Sequence, residues 1–490
     1  MKKEFKKICV ESSLIGAQML VLNDKKILED LSFGVRDIET KEKINKYTKA
    51  RIASISKIIV AICVMQLVEK GLISIDDDIS DIFGFKIRNP KFPNDKITIK
   101  HLMTQTSSIT DGFDDEDPKN DHIKRGYNGV NGTNQPATLK DLLIKNDGPY
   151  WIDSTYSDVR PGERFIYSNF GCGLLACVVE KITQTYFCDY VVENFLLKLN
   201  IDGGFRIQDI KDKDNFATLY RMSKSKEKIV STLSIKGLLN WKYNLFPLGE
   251  NYRGPAGGLM INLNDLAKIM QLFMNGGVYK GVRILNKKTI DLMQQFHWIN
   301  TEFDDYKAKG LQIKIFSMYE KELLRGHTGS AYGLVSFFFY NPEQKIGMCF
   351  FTNGGLYKHN PYGIVDIFVK LMEKGIEKYW KHGCKRTFVI NKNSLEASIN
   401  DRILTMPRAI FEKEGKTYIS LFTALDGLDI MPVVTKDLIL LSKNYKKVAY
   451  RFEEMIKIED TYYLPIKDLL ESLEIDYSEN EKTINIKYLS

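Results

Sequence analysis

Cysteine is scarce in this sequence, and its placement excludes two common uses of the residue. Seven cysteines occur in 490 residues, an odd number without the spacing of metal ligands. They are Cys9, Cys63, Cys172, Cys177, Cys188, Cys349 and Cys384. Because most of them lie within apolar segments, we expect reduced core residues rather than a disulfide framework or a metal centre.

Long apolar runs and an excess of one charge are also absent. No stretch reaches the length of a transmembrane helix, so no membrane span is expected. The first apolar stretch is interrupted by Glu11, Ser12 and Ser13 before a signal-peptide core forms, which favours a cytoplasmic location. The 70 basic and 62 acidic residues are spread along the chain and leave a net charge of +8. Such a mixed surface argues against nucleic acid as a partner.

The length of the chain indicates at least two domains. Residues 415–430 (GKTYISLFTALDGLDI) are similar to residues 460–475 (DTYYLPIKDLLESLEI) at a shift of 45 positions, which predicts a repeated strand-and-helix unit. We therefore predict a first domain over residues 1–383, a linker over 384–394 and a C-terminal repeat domain over 395–490.

One stretch of the first domain carries a candidate nucleophile. Residues 51–71 (RIASISKIIVAICVMQLVEKG) place Ser54 and Lys57 three positions apart at the start of an apolar helix. Positions i and i+3 share a helix face, so the hydroxyl and the amine can meet. A lysine in apolar surroundings has a lowered pKa and can then accept a proton from serine. The same spacing at Ser223/Lys226 and Ser225/Lys228 lies in a charged run and reads as a hydrated surface.

Other segments predict the elements around this helix. GAQMLVLND and KKILEDLSFG read as two strands, and helices are expected to start near Thr98 and Asn262. RGHTGSAYGLVSFFFY and KIGMCFFTNG read as two strands that pair around a turn at Asn341 and Pro342. A last helix is expected over residues 362–380.

Three polar motifs follow one another along the chain. They are Ser54-x-x-Lys57, Tyr167-Ser168-Asn169 and His327-Thr328-Gly329. Together with PGERFIYSN, HLMTQTSS, GPAGGL and GHTGSAYG, they resemble the serine β-lactamase and penicillin-binding protein superfamily. The resemblance is to the branch that holds class C β-lactamases, D-alanyl-D-alanine carboxypeptidases, D-aminopeptidases and related esterases. It covers about residues 10–380.

The resemblance implies a fold and a set of roles. The fold is α+β, with an antiparallel sheet flanked by helices and built from both ends of the first domain, and a mostly helical subdomain inserted between them. Ser54 is the acylated nucleophile, and Lys57 and Tyr167 share the proton transfers. The backbone N–H groups of Ser54 and Ser330 form the oxyanion hole. The residues implied for substrate binding are Asn169, His327, Thr328 and Gly329, and no metal or organic cofactor is implied. Arg325 lies two residues before His327, so the period of two places it on the same side of the strand, where it is a candidate for binding a substrate carboxylate but is expected first at a solvated strand end.

His327 narrows the expected substrate. β-Lactamases usually have lysine at this position, whereas His-Thr-Gly is more similar to the D-peptidases of the branch. A D-amino-acid peptidase or carboxypeptidase is therefore expected first, and an esterase or a β-lactamase next. Substrates would be small molecules or peptides, including cell-wall-derived ones, with β-lactams as acylating agents. If unperturbed, His327 titrates near pH ~6.5 and attracts a substrate carboxylate only below that pH. The alternative of another class is a non-catalytic penicillin- or peptidoglycan-binding sensor.

The C-terminal region resembles the domain named after the N-terminus of copper amine oxidase, an α+β module without a catalytic motif. Copper is not implied, since no histidine follows His382. Such modules often accompany exported proteins, so cell-surface association is the alternative to a cytoplasmic location. We expect this domain to position the protein or its substrate without affecting the chemistry.

Overall fold

The computed structural model describes residues 1–112, 123–145, 147–222, 229–241, 244–299, 308–317, 323–359 and 364–490. The Ser-x-x-Lys pairs that begin at Ser223 and Ser225 lie outside these ranges.

The first domain is organised around one antiparallel sheet with the strand order β2-β1-β14-β13-β12-β11-β10-β9. Its strands come from both ends of the domain, which confirms the predicted α+β arrangement. The strands of this domain are β1 Gly16–Asn23, β2 Ile27–Gly34, β3 Lys49–Arg51, β4 Leu219–Met222, β5 Ile229–Leu233, β6 Met260–Asn262, β7 Val278–Tyr279, β8 Val282–Arg283, β9 Trp298–Ile299, β10 Ala308–Lys309, β11 Lys314–Ser317, β12 Leu323–Ala331, β13 Leu334–Asn341 and β14 Ile346–Gly354.

Alternate side chains of these strands are buried on opposite faces of the sheet. On β13, Phe337 and Phe339 belong to the cluster that packs under the first and last helices of the domain. Phe338 and Tyr340 point to the other face and join the large core around the helix that follows Ser54. The sheet is therefore covered on both sides, and the site described below lies on the second side.

The sequence prediction for β12 and β13 was wrong in one respect. RGHTGSAYGLVSFFFY was expected to be a single strand, but it forms two strands joined at Tyr332 and Gly333. Both turn residues have positive φ, 56° and 90°, as a tight hairpin turn requires. The β13–β14 hairpin at Asn341 is as predicted.

The helices of the first domain lie before, between and after these strands along the chain. They are α1 Lys2–Glu11, α2 Ser56–Glu69, α3 Ile79–Phe83, α4 Ile99–Thr104, α5 Gly126–Val130, α6 Leu139–Leu143, α7 Asn169–Thr183, α8 Phe187–Val191, α9 Ile235–Asn240, α10 Leu263–Met274, α11 Lys287–Gln294 and α12 Asp366–Tyr379, with a π-helical turn at Val192–Leu196 and 3₁₀ turns at Ala53–Ile55, Asp153–Thr155, Leu197–Leu199 and Ile207–Asp209. The predicted starts are confirmed at Thr98 and Asn262, whose side chains accept hydrogen bonds from His101 N and Asp265 N.

The C-terminal region has the predicted internal repeat. Its strands are β15 Lys385–Asn391, β16 Glu396–Ile399, β17 Arg402–Thr405, β18 Phe411–Lys413, β19 Lys416–Ser420, β20 Val433–Val434, β21 Leu438–Lys443, β22 Lys446–Arg451, β23 Ile456–Ile458, β24 Thr461–Pro465, β25 Tyr477–Glu479 and β26 Thr483–Leu489, with α13 Leu421–Gly427, α14 Ile466–Ser472 and a 3₁₀ turn at Phe452–Glu454. The units β19–α13 and β24–α14 stand 45 residues apart, and β19 pairs with β24. Where a linker was expected at 384–394, β15 pairs with β26 along its whole length.

The C-terminal region packs tightly on the first domain through buried charges. Asp426 of α13 accepts hydrogen bonds from Arg325 Nη2 at 2.7 Å and Arg402 Nη2 at 2.6 Å, and Arg402 Nε donates to Glu343 at 2.7 Å. Arg325 is 0% exposed and Asp426 1% exposed. Arg325 therefore neither lies at a solvated strand end nor meets a substrate carboxylate, and both expectations were wrong, because the C-terminal domain covers its side chain.

Other sequence expectations concern burial. Six of the seven cysteines are buried and all seven are free thiols, with Cys384 partly exposed. In the part of the chain that the structure describes, none of the helices has both the length and the apolar character needed to cross a membrane.

Candidate active site

Ser54 lies in a short 3₁₀ turn, Ala53–Ile55, directly before α2. Ala53 has φ of 54°, a left-handed conformation that costs energy for a residue other than glycine and that recurs at functional sites. Two serine hydroxyls hold the turn in place. Ser56 Oγ donates to Ala53 O at 2.6 Å, and Ser336 Oγ of β13 donates to Ile52 O at 3.0 Å. The candidate nucleophile therefore sits on a rigid turn with strained backbone.

Lys57 is fully buried beside this turn, on a helix whose residues from Ser56 to Leu67 are all buried, as predicted. Its ammonium group donates to Asn169 Oδ1 and Ala256 O, both at 2.8 Å, and to Ser54 Oγ at 3.2 Å. Burial lowers the pKa of Lys57 to about 8, against the opposing influence of Cys172 and Asp111. A substantial neutral fraction near neutral pH makes this amine a competent general base.

Tyr167 reaches Ser54 from the opposite side. Its hydroxyl donates to Ser54 Oγ at 2.7 Å, and its ring centre lies 4.8 Å from Lys57 Nζ. The residue stands just before α7, whose N-terminus is capped by Ser168 Oγ accepting from Gly171 N at 2.8 Å. Ser54, Lys57 and Tyr167, which are 113 residues apart in sequence at the widest, thus converge on one oxygen atom.

Asp111 lies behind Asn169 and was not identified from the sequence. It accepts from Asn169 Nδ2 at 2.8 Å, from Phe170 N at 2.8 Å and from Ser168 Oγ at 3.3 Å. Asp111 directly follows the HLMTQTSSIT segment, but nothing in the sequence signals that its carboxylate turns inward. The residue anchors the second motif to the segment after α4.

Strand β12 forms the opposite wall of the site. β11 pairs with β12 only as far as Gly326, so the edge from His327 to Ala331 is not covered by that strand. Gly329 allows β12 to lie close to the Ser54 turn, because a Cβ at this position would lie 2.5 Å from Ile52 O and 3.3 Å from Ala53 Cβ. Thr328 is partly exposed and Ser330 exposed, on the same stretch of strand. This wall therefore packs directly against the Ser54 turn.

The pKa of His327 differs from that of an unperturbed histidine. The side chain is 0% exposed, and its Nδ1 donates to Thr328 O at 2.6 Å, since a carbonyl can only accept. Burial, and then the charges of Lys309 and Lys57, hold its pKa well below the usual value. The imidazole is therefore neutral at ordinary pH, and the value near pH ~6.5, which holds for an unperturbed histidine, does not apply to His327.

Lys309 and Lys314 were likewise missed by the sequence analysis. They lie opposite each other on β10 and β11 and are 0% and 4% exposed. Both contribute positive charge that keeps His327 neutral. Lysines in short strands of mixed composition carry no local signal that they are buried, so sequence patterns could not find them.

Chemically, the arrangement can activate a serine hydroxyl. A hydroxyl 2.7 Å from a phenol and 3.2 Å from a lysine amine of lowered pKa can lose its proton as it attacks a carbonyl carbon. The structure brings together Ser54, Lys57, Tyr167 and Asn169 of the predicted set. His327, Thr328, Gly329 and Ser330 line the adjacent wall, and Arg325 lies apart with Asp426.

This fold and site define a protein of the β-lactamase and transpeptidase type. The family profile described as Beta-lactamase matches residues 3–363, and the chain belongs to that family.

Several known proteins are similar to this chain. Protein flp of Staphylococcus aureus (strain MRSA252) is 24% identical over 340 residues, which is 69% of this chain and 59% of that protein. The chain thus spans less than two thirds of the length of this relative. N-acetylmuramyl-L-alanine amidase of Bacillus subtilis (strain 168) is 23% identical over 71% of this chain and 78% of its own.

Solved structures share the fold. The octameric penicillin-binding protein homologue of Pyrococcus abyssi has a TM-score of 0.55 at 17% identity and covers 98% of this chain and 97% of its own. The D-amino acid amidase of Ochrobactrum anthropi SV3 has a TM-score of 0.58 at 16% identity and covers 78% of this chain and 98% of its own.

Proposed function

We propose that this protein is a hydrolase that forms an acyl-enzyme on Ser54 and cleaves amide or peptide bonds next to D-amino acids. The observation that carries the proposal is the pair of contacts on Ser54 Oγ, from Tyr167 at 2.7 Å and Lys57 at 3.2 Å. A buried lysine with a pKa of about 8 between a serine and a phenol is costly for stability, since its charged form is desolvated. Such a cost is typical of catalytic groups.

In the proposed mechanism, Ser54 Oγ attacks the substrate carbonyl while its proton passes to the Lys57–Tyr167 pair. The negative charge that develops on the carbonyl oxygen is stabilised by the backbone N–H groups of Ser54 and Ser330. When the C–N bond breaks, Tyr167 protonates the leaving nitrogen, and the acyl group stays on Ser54. Water then attacks the ester and gives its proton to the same pair, which releases the acid and restores the serine hydroxyl.

The preference for D-amino-acid substrates rests on the His-Thr-Gly motif and on the similarity to the D-amino acid amidase. The relative named N-acetylmuramyl-L-alanine amidase supports an amide bond as the target but not the D configuration. Among such substrates, a neutral His327 favours those with an uncharged end, such as amides, because it offers no ionic attraction to a carboxylate. This lowers the weight of the carboxypeptidase alternative. Peptides from the cell wall are within the proposed substrate class.

Covalent labelling tests the nucleophile. The protein would be incubated with a fluorophosphonate or a penicillin, digested and analysed by mass spectrometry for an adduct on the Ser54 peptide. Ser54→Ala should lose the adduct and all turnover, whereas Ser225→Ala, in a second Ser-x-x-Lys sequence, should keep both. Labelling of Ser54→Ala at the parent rate would refute the proposed nucleophile.

A substrate panel tests the bond that is cleaved. Matched D- and L-amino-acid amides, D-dipeptides, an ester and a penicillin would be compared by kcat/KM. The proposal predicts that the D-amides and D-peptides lead. A higher kcat/KM for the ester or the penicillin would make the protein an esterase or a β-lactamase, and a stable adduct without turnover of any compound would favour a penicillin-binding sensor.

A further inference from the structure

Asp111 is a buried acid close to the catalytic groups, yet it contacts none of the atoms that react. Its carboxylate is 8% exposed and accepts from Asn169 Nδ2, Phe170 N and Ser168 Oγ. All three contacts use the carboxylate as a hydrogen-bond acceptor. Its influence on the reaction must therefore pass through Asn169.

The charge of Asp111 decides how the Asn169 side chain is oriented. An ionised carboxylate can only accept hydrogen bonds, so the Asn169 amide must turn its nitrogen toward Asp111. Its oxygen then faces Lys57, from which it accepts at 2.8 Å. With a neutral partner at position 111, either orientation of the amide would be satisfied, and the nitrogen would face Lys57 in part of the molecules.

The orientation of Asn169 in turn determines where the lone pair of Lys57 points. A neutral amine has two protons and one lone pair, and two acceptors lie at 2.8 Å from Nζ, Asn169 Oδ1 and Ala256 O. When these take the two protons, the lone pair is left for Ser54 Oγ at 3.2 Å. If Asn169 presented its nitrogen instead, it would compete with Ser54 for that lone pair.

We propose that Asp111 is a positioning residue which, through Asn169, directs the lone pair of Lys57 to Ser54. This inference rests on the proposed function, in which Lys57 is the general base. It assigns Asp111 a role in the acylation step and none in holding the substrate.

The charge of Asp111 has a second effect that can be measured. Lys57 is faced by the Tyr167 ring, the Cys172 thiol, the Ala256 carbonyl, neutral His327 and the Asp111 carboxylate. Of these, Asp111 bears the negative charge, and it works against the burial that lowers the pKa of Lys57. Removing that charge should lower the Lys57 pKa further and move the rise of activity with pH to lower pH.

The experiment compares Asp111→Asn, Asn169→Ala and the double variant, with kcat, KM and the pH dependence of kcat as readouts. Asp111→Asn should lower kcat about tenfold or more and change KM by a smaller factor, because the change acts on the Lys57 lone pair and Asp111 itself does not contact the substrate. The pH at which kcat rises, called the acidic limb below, should decrease by on the order of one unit. In the Asn169→Ala background the further loss of kcat should be small, since both changes act through the same side chain.

A control and a charge exchange separate positioning from folding. Asp78→Asn removes another buried carboxylate, one that pairs with Arg88 away from the site, and should lower thermal stability without moving the pH limb. Exchanging the pair as Asp111→Asn with Asn169→Asp keeps the hydrogen bond but puts the negative charge against Lys57. The limb should then move up, even if Asp111→Asn alone folds poorly.

Two results would overturn the inference. The first is a double variant Asp111→Asn/Asn169→Ala whose loss of kcat equals the product of the two single losses. The second is a pH dependence of kcat that does not move in Asp111→Asn or in the exchanged pair. Failure of the proposed function is a different result, since the parent protein would then show no adduct on Ser54.

Discussion

The ion pair between Arg325 and Asp426 should be among the most costly contacts to break in this protein. Arg325 belongs to β12, two residues before His327, while Asp426 belongs to the C-terminal domain, and both side chains are essentially inaccessible to water. Asp426 also accepts from Arg402 Nη2 at 2.6 Å and from Phe296 N at 3.0 Å. The change Asp426→Asn keeps the shape of the side chain and removes its charge.

The expected loss follows from burial. Removing one partner of a buried ion pair costs about 3–5 kcal/mol, because the remaining charge is left in a medium of low polarity. Here Arg325 loses the carboxylate it pairs with, whereas Arg402 keeps Glu343, so the loss should lie within that range. For a large folding unit, such a loss lowers the thermal midpoint by about 10 °C.

The assay is thermal unfolding followed by circular dichroism, with an exposed pair as the matched control. Lys288 and Glu396 join the same two domains at 2.7 Å, but their side chains are 58% and 42% exposed. Glu396→Gln should cost less than about 1 kcal/mol, since water screens this pair. If Asp426→Asn and Glu396→Gln unfold within 1–2 °C of each other, on the order of the effect of a surface change, burial does not strengthen the Arg325 pair and the reasoning is refuted.

Three further results are expected. A chain ended after Gly383 should aggregate and lose turnover, since the truncation removes Asp426 and uncovers Arg325 and the core that both regions share; a soluble, fully active product in gel filtration and ester assays would contradict this. Gly329→Ala should cost about 1–3 kcal/mol in urea unfolding and lower kcat, because the added methyl meets Ile52 O, whereas unchanged values would place that wall farther from Ser54. The ratio of the KM values of a matched D-amino-acid amide and acid should not change between pH ~6 and ~8 through titration of His327. A change in this ratio that disappears in His327→Gln would show that this residue titrates.

Local chain signals predicted much of the fold and the core of the site. Thr98 and Asn262 cap helices as their residue types suggest, and alternating strands and turns gave most of the main sheet. Ser54 and Lys57 meet because their spacing is helical, and the apolar residues after them predicted the burial that lowers the Lys57 pKa. These features depend on neighbours within a few residues, so one stretch of sequence contains them.

Features that depend on distant segments were not accessible in this way. The period of two placed Arg325 on the same side of β12 as His327, and their partners Tyr340 and Phe338 do share one face. What the period could not show is that Asp426, 101 residues later, covers that face at Arg325. The C-terminal domain was expected to have no effect on the chemistry because it lacks a catalytic motif. Its contacts with the first domain could not be read from the sequence for the same reason.

Contacts between distant segments also change the charge expected for His327 at the β12 wall of the site. The motif suggested a histidine that gains charge in mild acid, but burial, and then the charges of Lys309 on β10 and of Lys57, hold the pKa of His327 well below its usual value. Because like charges repel more strongly when they are buried, the imidazole remains a neutral hydrogen-bonding group.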